Sequence, residues 1–306
     1  MFNAHPTTVT EWLAKVPHDR PVLIAGPTAS GKSGIALALA QAQGRQIVNA
    51  DALQVYRDWQ QLSARPDAAE QALAPHLLYG HVHRDQDYSV GHWLREVTAI
   101  LAQDPRPVIV GGTGLYFTAL TQGLADIPPT PPELRALADA RLAREGVDAL
   151  LAELDEATLA RIDRRNPVRV QRAWEVQAAT GRGLASWQDD TPAPLLPLDQ
   201  AHALVLRPDP EWLGARIDRR FAQMIELGAL DEVRAALPHW PAPNQTPRPW
   251  TRAIGAPELV DHLQGHGTLD EAIGLSCIAT RQYAKRQRTW MRNRLGHWPA
   301  LALPDG

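Results

Sequence analysis

Gly26-Pro27-Thr28-Ala29-Ser30-Gly31-Lys32-Ser33 carries the pattern G-x-x-x-x-G-K-[ST]. Backbone N–H groups in such a loop can curl round an anion, the lysine adds a point charge, and the serine hydroxyl can ligate Mg²⁺. The apolar run Val22-Leu23-Ile24-Ala25 precedes it, and a helix-forming stretch, Gly34 to Ala40, follows. The loop therefore joins a strand to the positive end of a helix, and a bound phosphate or pyrophosphate is the chemistry that follows.

Two further residues stand where later strands end. Asn49-Ala50-Asp51 closes the run after Gln46, and Gly111-Gly112-Thr113-Gly114 closes the run Val108–Val110. Ligands of open parallel sheets gather at the carboxyl edge. A carboxylate there can ligate Mg²⁺, position an acceptor hydroxyl or take a proton from an incoming nucleophile. Capping of a following helix is the structural alternative for Asp51, as a plain turn is for Thr113. The strand at 108–110 does not end in Asp, so the usual Walker-B metal ligand is missing there.

The elements that must position these groups are legible. Strands are expected at Val22–Ala25, Gln46–Asn49, Val108–Val110 and Ala203–Leu206, with helical stretches between the first three. That is the βαβ pattern of a parallel sheet covered on both faces. Ile127-Pro128-Pro129-Thr130-Pro131-Pro132 reads as a stiff extended linker, and Glu133 to Ala185 is almost purely helical in pattern. Residues 127–200 thus form a helical insertion in an α/β core made of 1–126 and 201–306. A third Pro-rich stretch, Pro238 to Pro249, precedes a C-terminal helical region.

Composition is that of an ordinary globular protein: 306 residues, 44% apolar, 21% charged, net charge −3. The single cysteine, Cys277, rules out a disulfide framework and a cysteine-based zinc site, which suits a reducing cytosol. No apolar signal segment or membrane-length run is present, so no membrane partner is expected. His81 and His83 lack further ligands nearby and read as loop histidines. A nucleic-acid footprint would have to be local, and two basic stripes supply one. Arg161, Arg164, Arg165, Arg169, Arg172 and Arg182 face only Asp163 and Glu175 in that stretch. Arg281, Lys285, Arg288 and Arg292 share one helix face with no acid between Leu275 and Arg294.

Six blocks in order resemble the tRNA dimethylallyltransferase (tRNA isopentenyltransferase) family of bacterial type. They are Gly26–Ser33, Asn49–Arg57, Val110–Tyr116, Asn166–Ala173, Arg216–Ile225 and Thr280–Gln287. The resemblance implies a P-loop NTPase-like α/β core with a helical insertion gripping the anticodon arm of tRNA. It implies transfer of a dimethylallyl group from its diphosphate to the exocyclic amine of adenosine 37, with Mg²⁺, by a cytoplasmic monomer. Under it Gly26, Pro27, Thr28, Ala29, Ser30, Gly31, Lys32 and Ser33 hold the diphosphate or a nucleotide such as ATP, and Ser33 ligates the Mg²⁺. Asp51 is the general base, and Thr113 contacts the diphosphate or tRNA. Positions matching tRNA contacts are Asp51, Ala52, Leu53, Gln54, Thr113, Arg135, Val168, Arg169, Val170, Gln171, Arg172 and Arg252. Ala256-Pro257 departs from the family wording, as does Asp58 to Pro66. A small-molecule kinase with Asp51 holding an acceptor hydroxyl is the runner-up, and a non-catalytic RNA-binding module is third; both leave features unused.

Overall fold

Six strands make one wholly parallel sheet in the order β3-β2-β4-β1-β5-β6. They are β1 Val22–Ala25, β2 Ile47–Asn49, β3 His76–Leu77, β4 Val108–Gly111, β5 His202–Pro208 and β6 Ala300–Leu303. The computed structural model of the protein describes residues 8–242 and 248–304. β1 lies at the centre, with Val22 opposite Val108 on one side and His202 on the other. All four of its residues are buried, as an unbroken apolar run in a doubly covered sheet must be.

The period of two sorts them between two cores. Val22 and Ile24 pack with Ile35 and Leu39 of helix α2 (Lys32–Gln43), which follows α1 (Val9–Ala14). Leu23 and Ala25 share the opposite cluster with Trp93 and Val97. Those two come from α4 (Val90–Gln103), which follows α3 (Ala68–Leu73), and Phe117 joins them from α5 (Gly114–Gln122).

The chain divides into two compact units, Met1–Thr121 with Leu196–Gly306, and Gln122–Leu195. The smaller is helical: α6 Pro132–Glu145, α7 Val147–Leu151, α8 Glu156–Arg161, α9 Pro167–Thr180 and α10 Leu184–Asp189. Its own core centres on Ala138, Leu150, Leu154, Val170, Ala173 and Trp174. Asn166 caps α9 by accepting from the Arg169 N–H, with Pro167 at the first turn, as the Asn-Pro pair predicts. The larger unit is completed by α11 Pro210–Glu226, α12 Ala229–Ala236, α13 Ala256–Leu263 and α14 Leu269–Arg294.

The sheet's amino edge is tied shut. Arg45, buried before β2, donates to the carbonyls of Pro17, Arg20 and Arg106, each in a segment leading into β1 or β4. The carboxyl edge is left for chemistry. Two strands escape the sequence pattern: β3 has two residues, too few to alternate, and β6 is a short edge strand whose Ala302 is exposed. Short 3₁₀ turns cover Leu237–His239 and Pro249–Arg252; the middle of the Pro238–Pro249 stretch, 243–247, lies outside the described residues.

Candidate active site at the carboxyl edge of the sheet

The loop after β1 folds back on itself and into the helix that follows. Gly31, at φ +87°, takes the left-handed conformation that starts α2, and Lys32 is the first helical residue. The Lys32 amine donates to the Pro27 carbonyl at 3.2 Å inside the loop. Burial pushes that amine down to about 8, Asp51 opposing the shift and Arg220 adding to it. Gly26 N–H reaches the Gly111 carbonyl at 3.2 Å, so loop and β4 end together. Arg216 Nε donates to the Ala29 carbonyl at 2.9 Å from α11.

Asp51 sits two residues past the end of β2, next to these groups. Its backbone N–H donates to Asn49 Oδ1 at 2.8 Å, and Asn49 Nδ2 returns a bond to the Asp51 carbonyl at 2.9 Å. One carboxylate oxygen accepts the Leu53 N–H at 3.0 Å. No helix begins there, so the capping alternative reduces to a turn held by Oδ1. Oδ2 lies toward Gly112, 3.2 Å from where a Cβ on that glycine would stand. Thr113 Oγ1 accepts the Ala52 N–H at 2.9 Å, so the hydroxyl fixes the segment that carries Asp51.

The glycines of this turn answer to packing. A Cβ on Gly111 would stand 2.0 Å from the Ala50 carbonyl oxygen, and one on Gly114 would stand 2.0 Å from the Trp290 ring. Gly111→Ala should therefore cost about 1–3 kcal/mol, as overpacked sites do, and lower the melting temperature by several degrees. An unchanged melt would mean the ends of β2 and β4 part without cost.

The structure adds residues that sequence reasoning did not single out. Arg220 of α11 is pushed down by burial and by Arg216, while Asp51 and Glu70 oppose the shift. With Lys32, Ser33, Arg216 and Arg219 it lines a cleft over the phosphate loop. The available signal was the i, i+4 pair Arg216 and Arg220 beside apolar Ile217 and Phe221. On its other side Arg220 joins Asp51 on a cavity lined by Leu53, Leu62, Ile217, Phe221, Met224 and Ile254. Tyr283 of α14 lines the same cavity. Burial and the Asp51 charge push that phenol up. Among the described residues no cluster of three His, Cys, Asp or Glu could hold a metal ion.

The residues matched to RNA contacts fall into different settings. Gln54 spends its amide on the Ser63 and Ala64 carbonyls, both at 3.0 Å, holding the loop opposite. Arg252 is exposed at the end of a 3₁₀ turn. Gly255 starts α13 at φ +92°, so Ala256 and Pro257 are its first helical residues. In the helical unit Val168 and Arg169 are exposed, whereas Val170 is fully buried in the core of that unit, so its side chain cannot reach RNA. Arg172 bonds Thr130 and lies 3.6 Å from the buried Glu175, which also sits 4.0 Å from Arg135; Gln171 donates to Glu175 and Asp139.

The basic stripes are thus less bare than the sequence implies. Arg161 pairs with Asp189, Arg182 with Asp190, and Arg281 with Asp218, because acids from outside each stripe fold back onto them. Lys285, Arg288 and Arg292 instead join Arg207 around a cavity beside β5 and α11. Among the described residues no helix is long and apolar enough to cross a membrane.

Comparison with known proteins is consistent along the whole chain. A family model described as IPP transferase matches residues 54–294, and one described as isopentenyl transferase matches 20–74. A tRNA dimethylallyltransferase of Cereibacter sphaeroides strain KD131 is 62% identical over 99% of this chain and 95% of its own. One from Paracoccus denitrificans is 57% identical over 95% of this chain and 97% of its own. Among solved structures, the tRNA isopentenylpyrophosphate transferase of Bacillus halodurans has a TM-score of 0.62 at 31% identity, covering 93% of this chain and 89% of its own. A eukaryotic dimethylallyltransferase acting on tRNA reaches 0.78 at 25% identity, covering 93% and 74%.

Proposed function

The chain belongs to the IPP transferase family of tRNA dimethylallyltransferases, and from that premise we propose how its residues divide the reaction. The protein transfers a dimethylallyl group to tRNA. The acceptor is the exocyclic amine of adenosine 37, beside the anticodon, and the donor is dimethylallyl diphosphate. The observation that carries this assignment is one cavity presenting a carboxylate, Asp51, and a cation, Arg220, on apolar walls. The apolar walls suit the dimethylallyl tail, while Arg220, Lys32 and the loop N–H groups face the diphosphate.

The bond changes balance. The amine lone pair attacks the allylic carbon as the C–O bond to diphosphate breaks, and the bonding pair leaves on the diphosphate oxygen. The amine proton passes to the free oxygen of Asp51, because an aromatic amine is too poor a nucleophile to react while keeping it. Leu53 N–H and Thr113 hold that carboxylate and its turn in place. The adenine has to leave the anticodon stack to enter the cavity.

Ser33 opens onto the cleft with Lys32 and Arg220, and among the described residues no carboxylate cluster competes for a cation. That donor set fits Mg²⁺, which takes few protein ligands and otherwise keeps water and phosphate oxygens. Ser33 would hold it, and when bound it supplies charge to neutralise the leaving diphosphate. A cytoplasmic monomer is the form we assign. Incubating purified protein with unmodified tRNA and dimethylallyl diphosphate, then analysing nucleosides by mass spectrometry, tests the assignment. A product with ATP and a small acceptor, and none with tRNA, would overturn it.

RNA grip in the helical unit rests on exposed Arg169 and on Arg172, the latter steadied by Glu175. Neutralising both should weaken tRNA binding and make its salt dependence shallower by about one to two units in log–log slope. Turnover at saturating tRNA should change less. Equal slopes for wild type and double mutant would move the footprint to Lys285, Arg288 and Arg292.

A further inference from the structure

Gln287 lies on α14, is 6% exposed, and bridges two motifs of the proposed site. Its Oε1 accepts the Thr28 N–H of the phosphate loop at 2.8 Å. Its Nε2 donates to the Gly112 carbonyl of the turn after β4 at 3.0 Å. The two backbone partners fix which end of the amide is which: one is a donor and the other an acceptor.

That pairing has a chemical consequence. A primary amide accepts and donates at once from two atoms about 2 Å apart on a planar group, whereas ionised glutamate, methionine and lysine each satisfy at most one side. Asparagine carries the same amide one methylene nearer α14, short of both partners. The Thr28 N–H is also withdrawn from the anion, so the diphosphate is left to other loop N–H groups, Lys32 and Arg220. The amide packs just as tightly from the other side: a Cβ on Gly112 would stand 2.3 Å from Gln287 Nε2 and 3.2 Å from Asp51 Oδ2.

We propose that Gln287 is a positioning residue that locks the phosphate loop to the turn beside Asp51, setting the diphosphate at a fixed distance from the base. It touches neither the reacting carbon nor the transferred proton; it acts through Thr28 and Gly112. The inference rests on the diphosphate reading of the loop.

The test is the variant Gln287→Met, close in volume but unable to make either bond. Binding of inorganic pyrophosphate with Mg²⁺, measured by calorimetry, should weaken about tenfold, since both bonds to the loop and turn are lost together. Turnover should fall about 10- to 100-fold, because misplacement of reacting groups by a fraction of an ångström is costly. The tRNA dissociation constant should stay within twofold. A merely structural glutamine would lower the melting temperature without this split. Gly112→Ala, which pushes a methyl group into the same amide, should show the same split and decides the matter if Gln287→Met does not fold. Pyrophosphate binding and turnover within twofold of wild type in either folded variant would overturn the proposal. So would a loss confined to tRNA affinity, which would make Gln287 part of the RNA surface. Lys32→Ala serves as the control: if it leaves pyrophosphate binding unchanged, the diphosphate reading of the loop has failed and the role given to Gln287 falls with it.

Discussion

Replacing Asp51 by asparagine should lower turnover by about 10²-fold or more while tRNA affinity stays within a few-fold. Asparagine keeps the size of the side chain and an oxygen to accept the Leu53 N–H, so the turn after β2 survives. What it loses is the capacity to receive a proton. Proton removal from the amine is demanded in the transition state and not in the ground-state complex, so the loss should appear in turnover and spare binding. Single-turnover kinetics with saturating tRNA and dimethylallyl diphosphate separate the chemical step from product release. Near-normal turnover would return Asp51 to its turn-holding role and leave the amine proton to another acceptor. Asp51→Ala should be worse, because it also frees the Leu53 N–H and loosens the segment that Thr113 anchors.

How much of this site could be read beforehand depended on how local the signal is. The phosphate loop is a contiguous pattern whose function follows from its own backbone, so eight adjacent residues were sufficient. Asp51 and Thr113 stand out as candidates because the carboxyl edge of a parallel sheet is itself predictable from the order of strands and helices. Arg220, Tyr283 and Gln287 reach the same edge from α11 and α14, up to about 260 residues away in sequence, as the Thr28 to Gln287 bond illustrates. Nothing in a one-dimensional pattern brings those helices onto the loop. The same physics explains the basic stripes. Counting nearby acids missed Asp218, Asp189 and Asp190, whose pairings with Arg281, Arg161 and Arg182 form only on folding. Val170 shows a different limit: a motif copies positions without separating an exposed helix face from the face that fills the core, where this side chain lies.

Lys32 should give the largest effect on diphosphate binding, together with an effect of opposite sign on stability. Its amine is buried beside Arg220 and pushed from 10.5 to about 8, so the folded protein releases that proton more readily than the unfolded chain. Stability is therefore penalised in full below about pH 8, and the penalty fades as pH rises from there toward 10.5. A shift of that size corresponds to roughly 3 kcal/mol, as an order of magnitude. Lys32→Met should accordingly raise the melting temperature of the ligand-free protein at pH 7 while weakening pyrophosphate binding by about 10²-fold, the worth of a buried charge-assisted contact. For wild type, diphosphate favours the charged amine, so affinity should be level with respect to this group below about pH 8. Above it, affinity should fall by up to about tenfold per pH unit, because binding must then take up a proton. In Lys32→Met that decline should vanish. Calorimetric titrations with pyrophosphate from pH 7 to pH 10, in buffers of different ionisation heat, measure affinity and proton uptake together. A decline of equal steepness in wild type and variant would place the titrating group elsewhere. A Lys32→Met protein that melts earlier than wild type at pH 7 would show that the Pro27 bond and the neighbouring Asp51 outweigh the cost of burying the charge.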